Sequence, residues 1–155
     1  MVDHDVKWMK LAIEEAKKAA KDGEIPVGAV LVRQGEVLAR AHNLCEVVAL
    51  PTAHAELLAI EAACRKVGHW RLEECTLYVT LEPCPMCAGA IVNSRIARVV
   101  YGAKDANGGA FDSVMNLRSY PLCSKPRVEG GVLEGECAAI LSGFFERKRK
   151  NRKNF

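Results

Sequence analysis

Apolar residues recur at three- and four-residue steps near the start of the chain. Val6, Met9, Ile13, Ala16 and Ala20 alternate with Lys7, Lys10, Glu14, Lys17 and Lys18, which predicts an amphipathic helix over Val6–Lys21. Asp5 is the expected N-cap, Asp22-Gly23 the stop, and Trp8 a packing or rim residue. The period then changes. Ile25–Val32 is rich in branched residues, Gln34-Gly35 marks a turn and Glu36–Ala41 continues, so a hairpin is expected, with Pro26 limiting pairing at its start. After a connecting segment, His42–Thr52, helical spacing resumes over Ala53–Lys66 and Gly68 ends it. A buried strand (Cys75, Thr76–Leu81), a helix over Cys84–Arg95 and a strand at Ala97–Tyr101 follow.

Asp105-Ala106-Asn107-Gly108-Gly109 reads as a loop, and Pro121 and Pro126 break any helix in Ser113–Pro126. Arg127–Val132 is a short last strand and Ala138–Arg149 a closing helix. Strands that alternate with helices in this order predict an α/β fold. Its form is a three-layer α/β/α sandwich around a central, mixed, five-stranded sheet whose later strands run parallel through crossovers. With 155 residues and no internal repeat or linker, a single domain over 1–155 is expected.

Composition narrows the class. Half the residues are hydrophobic and 26% are charged, the balance of a soluble globular domain. The N-terminus, Met1-Val2-Asp3-His4-Asp5, lacks the form of a signal peptide and no apolar run is long enough to span a bilayer, so a cytoplasmic location is expected. Seven cysteines, an odd number, favour metal binding or burial over disulfides. The net charge of +3 is smaller than the six positive charges of Arg147, Lys148, Arg149, Lys150, Arg152 and Lys153, so the rest of the chain is acidic overall. The basicity is read as a C-terminal tail, about 147–155, suited to phosphate or simply to solubility.

Candidate chemistry concentrates at two predicted helix starts. Cys84 and Cys87 in Pro83-Cys84-Pro85-Met86-Cys87 sit where a strand hands over to a helix, where the helix dipole lowers thiol pKa. About thirty residues upstream, His54 and Glu56 in Thr52-Ala53-His54-Ala55-Glu56 begin another helix and can border a cavity off its end. His54, Cys84 and Cys87 make a three-ligand zinc set with a fourth position open, and Glu56 is the nearby carboxylate able to take and return a proton. The same residues taken separately allow a redox pair or half of a structural zinc knuckle. A purely structural zinc module that binds RNA would need a fourth protein ligand, for which Cys45, Cys75 and His42 are candidates. Phe144 and Phe145, ahead of the basic run, offer a base-stacking surface, although burial of at least one is expected.

The His-Ala-Glu and Pro-Cys-x-x-Cys pair is the signature of the zinc nucleobase deaminases. Glu24–Val30, Ala41-His42-Asn43, Pro51–Glu56 and Thr76–Ser94 extend it, and over most of its length the chain closely resembles the bacterial tRNA-specific adenosine deaminases, within the zinc-dependent cytidine/deoxycytidylate deaminase superfamily. The resemblance implies a cytidine deaminase-like fold and hydrolytic deamination of the wobble adenosine in a tRNA anticodon loop, giving inosine. It implies a Zn2+ cofactor held by His54, Cys84 and Cys87, with Glu56 as proton shuttle. It also implies substrate contacts at Asn43 and Asp105, to which Phe145 is added as the stacking candidate, and a homodimer whose two subunits both touch RNA. A free-base or nucleoside deaminase of guanine or cytosine type is the alternative on the same fold. Two segments depart from the family pattern: Phe111-Asp112 stands where small residues are common, and Leu122–Arg127 lacks an Asn-His pair. Both are expected near the substrate or its rim, where they weaken a strict preference for the anticodon.

Overall fold

The computed structural model describes residues 3–153. Met1 and Val2 of the N-terminal reading lie outside the described residues, as do Asn154, Phe155 and the Lys153 side chain of the basic run. In chain order the elements are α1 (Asp3–Lys21), β1 (Gly28–Arg33), β2 (Glu36–His42), α2 (Cys45–Val48), α3 (Ala55–Val67), β3 (Cys75–Leu81), α4 (Pro85–Asn93), β4 (Arg98–Ala103), β5 (Arg127–Gly130) and α5 (Glu134–Lys153), with one 3-10 turn at Leu117–Ser119. No helix among them is long and apolar enough to cross a membrane.

The sheet order is β2-β1-β3-β4-β5. β1 pairs antiparallel with β2 and β3, while β3, β4 and β5 run parallel. This is the expected mixed, five-stranded sheet. Alternate side chains of each strand enter two cores. Ala29, Leu31, Leu77, Val79, Val99 and Tyr101 meet α3 and α4 on one face. Val30, Val32, Tyr78 and Val100 meet α1 and Cys137 of α5 on the other.

Close approach of helix and sheet depends on residues without side chains. A Cβ on Gly28 would overlap the Ala12 carbonyl oxygen and stand 2.6 Å from the Ala16 amide nitrogen, both backbone atoms of α1. Gly28→Ala is therefore expected to cost roughly 1–3 kcal/mol as α1 is pushed off β1. Urea unfolding would show it as a lowered midpoint. At the end of α3, Gly68 takes the left-handed conformation (φ 75°) and its N–H donates to the Cys64 carbonyl at 2.8 Å, ending the helix as anticipated.

Several local expectations are corrected. α1 begins at Asp3, so Asp5 is not an N-cap. Asp5 falls on the sheet-facing side with Trp8 and Met9, is fully buried, and accepts from Arg98 and the Tyr78 hydroxyl. Ala19 replaces Ala20 in the buried stripe. β1 starts at Gly28, two residues after Pro26, and the connecting segment contains the short helix α2. α5 starts at Glu134, four residues before the predicted start, and continues through the basic run. Arg147–Arg152 are thus the last turns of a helix and not a free tail.

Candidate active site

β3 and α3 deliver the site residues to the same end of the sheet. β3 ends at Leu81, and Glu82-Pro83 leads into Cys84, the N-cap of α4 (φ −74°, ψ 172°), with Pro85 at the first helical position. His54 is likewise the N-cap of α3 (φ −78°, ψ 149°). Neither side chain caps its own helix, which leaves the imidazole and the thiol free. For α3 that task falls to Asn43, whose Oδ1 accepts from the Ala55 N–H at 2.8 Å.

His54 Nδ1 lies 3.7 Å from Cys84 Sγ and 3.5 Å from Cys87 Sγ. A tetrahedral ion bound at about 2.05 Å to nitrogen and about 2.3 Å to sulfur sets these atoms about 3.6 Å apart, so spacing and donor set fit a zinc-type cation. Among the described residues no further His, Cys, Asp or Glu joins the group. The three candidate fourth ligands are placed elsewhere. His42 Nδ1 pairs with Glu15 Oε1 at 3.0 Å, Cys75 is buried at the opposite, N-terminal end of β3, and Cys45 borders the cavity without entering the triad. All seven cysteines are free.

Without a metal the triad holds its protons unequally. A hydrogen bond from Cys87, with help from His54, pulls the Cys84 thiol down to about 4. The same bond, reinforced by burial, pushes the Cys87 thiol up, and the bond to Cys84 raises His54. Two sulfurs and one nitrogen compete for shared protons at a spot that a cation would satisfy. Glu56, in the first turn of α3, is 4% exposed and burial raises its carboxyl to about 7.

The triad and Glu56 adjoin a cavity of about 470 Å³ to which His54, Glu56 and Cys84 all contribute. Asn43 and Asp105 line it, with Phe144, Phe145, Lys148, Arg149 and Arg152 of α5 as a further wall. Phe144 is buried and Phe145 is 40% exposed, the two rings meeting edge to face at 5.4 Å. His54, Cys84 and Cys87 together with Glu56, Asn43, Asp105 and Phe145 therefore gather at this one site, whereas His42 and Cys75 do not. The departing segments do not. Phe111 is fully buried in the core, Asp112 accepts from the Tyr101 hydroxyl and from Arg118 at 3.1 Å, and nothing from 110–127 lines the cavity. The expected weakening of anticodon preference thereby loses its structural basis.

Sequence reasoning missed two carboxylates. Glu24 accepts from the Glu46 and Val47 amides at 3.0 and 2.8 Å, holding α2 at the cavity rim. Glu82 binds the backbone of the 105–113 loop. Glu82 carried a readable signal, an acid where an apolar strand ends beside Pro83-Cys84; Glu24 was marked only by its place at the head of Glu24–Val30, one of the stretches that carry the family resemblance.

A mixed sheet in this order, with a His-Cys-Cys triad at two helix starts, defines an α/β/α deaminase of the cytidine deaminase-like fold. The family model of the MafB19-like deaminases matches residues 3–149. The tRNA-specific adenosine deaminase of Bacillus subtilis is 55% identical over 96% of this chain and 93% of its own. That of Aquifex aeolicus is 47% identical over 93% of this chain and 95% of its own. A solved structure from work on A-to-I editing by tRNA:A34 deaminases at the wobble position of transfer RNA superposes with a TM-score of 0.85 at 46% identity, covering 87% of this chain and 99% of the other. The chain belongs to the tRNA-specific adenosine deaminase family within the MafB19-like deaminases.

Proposed function

We propose that this protein is a zinc-dependent hydrolase that converts adenosine to inosine at the wobble position of a tRNA anticodon loop. The observation that carries the reading is the position of Glu56. It is a buried carboxyl bordering the same cavity as a three-ligand metal set that has no fourth protein ligand among the described residues. His54, Cys84 and Cys87 would hold zinc, which when bound would supply the Lewis acidity that readies a water for attack near neutral pH.

The remaining work belongs to the chain. Water oxygen bonds to C6 of the adenine, the C6–N6 bond breaks, and ammonia leaves. Glu56 takes one proton from water and gives it to the ring nitrogen, then carries the second, from the hydroxyl now on C6, to the departing N6, which leaves a carbonyl at C6. Asn43 commits its carbonyl oxygen to Ala55, so its amide N–H2 group is the part available to a nucleotide. Asp105 borders the place for the sugar and its 5′ neighbour, and the exposed ring of Phe145 offers a stacking face. Lys148, Arg149 and Arg152 put positive charge on the same wall for the phosphates of a splayed loop.

The same reading takes residues 1–155 as one deaminase domain ending in a basic helix, acting in the cytoplasm on tRNA. It assigns a homodimer, which the family resemblance and the exposed apolar side chains Val47, Val48 and Leu50 support. Incubation with an arginine-tRNA anticodon stem-loop, and separately with free guanine, cytosine and cytidine, tests it. Inosine is expected in the RNA. Turnover of the small molecules alone would overturn the proposal.

A further inference from the structure

The loop 105–113 has no helix or strand and contributes Asp105 to the cavity lining, yet one buried side chain organises it. Glu82, 2% exposed, collects five donors from residues 105–113. Its Oε1 accepts from the Asp105 N–H at 3.1 Å and from the Ser113 hydroxyl. Its Oε2 accepts from the N–H groups of Phe111, Asp112 and Ser113 at 3.2, 2.8 and 3.0 Å. The loop is shaped around that carboxylate, because a Cβ on Gly109 would overlap it. The Ala110 N–H donates to the Pro83 carbonyl at 2.9 Å, a second tie to the same strand end.

Glu82 stands two residues before Cys84 and immediately after β3. It therefore joins the segment that carries a metal ligand to the segment that carries Asp105. We propose that Glu82 is a positioning residue for deamination: it sets the distance between the metal site and the Asp105 wall, and so governs how the nucleotide is held. This rests on the deaminase reading given above. A buried carboxylate that collects several loop amides fixes their relative positions, and the Phe111 N–H, in a fully buried residue, would be left unpaired if released.

Glu82→Gln separates this role from a merely structural one. A glutamine has one acceptor oxygen. The amide orientation that keeps the three bonds at the Oε2 position turns an N–H2 group toward the Asp105 N–H, so Asp105 is released selectively. With the metal-loaded enzyme and the anticodon stem-loop, KM should rise about tenfold while kcat changes by less than about threefold. Zinc per chain should equal that of the unaltered protein. Asp105→Ala should cost clearly less in the Glu82→Gln background than alone.

Unchanged KM, a fall confined to kcat, additive double substitutions, or loss of zinc would each overturn the inference. Should Glu82→Gln fail to fold, Ser113→Ala decides, since Ser113 is exposed and its hydroxyl gives only one of the five bonds. A smaller KM rise with kcat and zinc retained supports the role, and an unchanged KM overturns it. If the unaltered protein itself makes no inosine in the stem-loop, the deaminase reading fails first and is recognised separately.

Discussion

Glu56→Ala should lower the single-turnover rate of stem-loop deamination by roughly 10²–10⁴-fold while leaving one zinc per chain. The reasoning starts from the division of labour in the cavity. On the proposed reading His54, Cys84 and Cys87 are the metal donors, at spacings that suit a tetrahedral ion, and Glu56 is not among them. Two thiolates would neutralise a bound dication, which would then acidify water less than in an all-histidine set, so a neighbouring group would have to transfer the proton. Glu56 is the carboxyl placed for it: it is buried in the first turn of α3 and borders the cavity with His54. Glu56→Gln keeps the shape without the proton-transfer group and should lose as much rate as Glu56→Ala, which separates chemistry from packing. Metal analysis on both variants is decisive. Zinc lost together with rate would place Glu56 in the metal shell and remove it as the proton carrier.

Much of this site was legible because its parts are local. A Cys-x-x-Cys at a strand-to-helix junction and a His-x-Glu at a helix start each combine a short motif with a helix terminus, and termini point side chains off the end. β1, β3 and β4 were legible for a similar reason, since their apolar runs are bounded by turn residues, while β2 followed from the Gln34-Gly35 turn and β5 holds a single branched residue, Val128. What escaped depends on contacts between distant residues. α2 is four residues long with exposed Val47 and Val48, and it is held by Glu24, some twenty positions earlier. The 105–113 loop takes its shape from Glu82, which no local pattern of Gly or Asn reveals. Phe111-Asp112 looked like a change at the substrate rim; burial of the ring and the Tyr101 and Arg118 bonds turn both residues away from the cavity. The basic run has no apolar stripe, so periodicity stopped the helix early, whereas i,i+4 pairing such as Glu146 with Lys150 accompanies its continuation.

Asp5 is the clearest case of a local rule overridden by a distant partner, and its loss should produce the largest stability change outside the metal site. An Asp ahead of an apolar stripe is ordinarily a helix cap. Here the carboxylate is fully buried and takes two bonds from the Arg98 guanidinium, at 2.9 and 2.7 Å, and one from the Tyr78 hydroxyl at 2.7 Å. These bonds tie α1 to β3 and β4. Asp5→Ala would leave Arg98, only 13% exposed, with Glu129 as its remaining carboxylate partner at 2.9 Å. Removing one member of a buried pair costs about 3–5 kcal/mol, and the lower part of that range applies because Glu129 remains. The pH dependence has a definite sign. The Arg98 hydrogen bonds hold the Asp5 carboxyl below its ordinary range, against the opposing effect of burial and with support from Tyr78. A carboxyl depressed in the folded state contributes stability that is fully present above its unfolded pKa, about 3.9, and is lost as pH falls through the folded value. Urea midpoints of the metal-loaded protein and of Asp5→Asn should therefore differ most at pH 6–7 and draw together in acid below about pH 4. A gap that stays constant down the pH range would mean that the ionised form of Asp5 is not what joins α1 to the sheet.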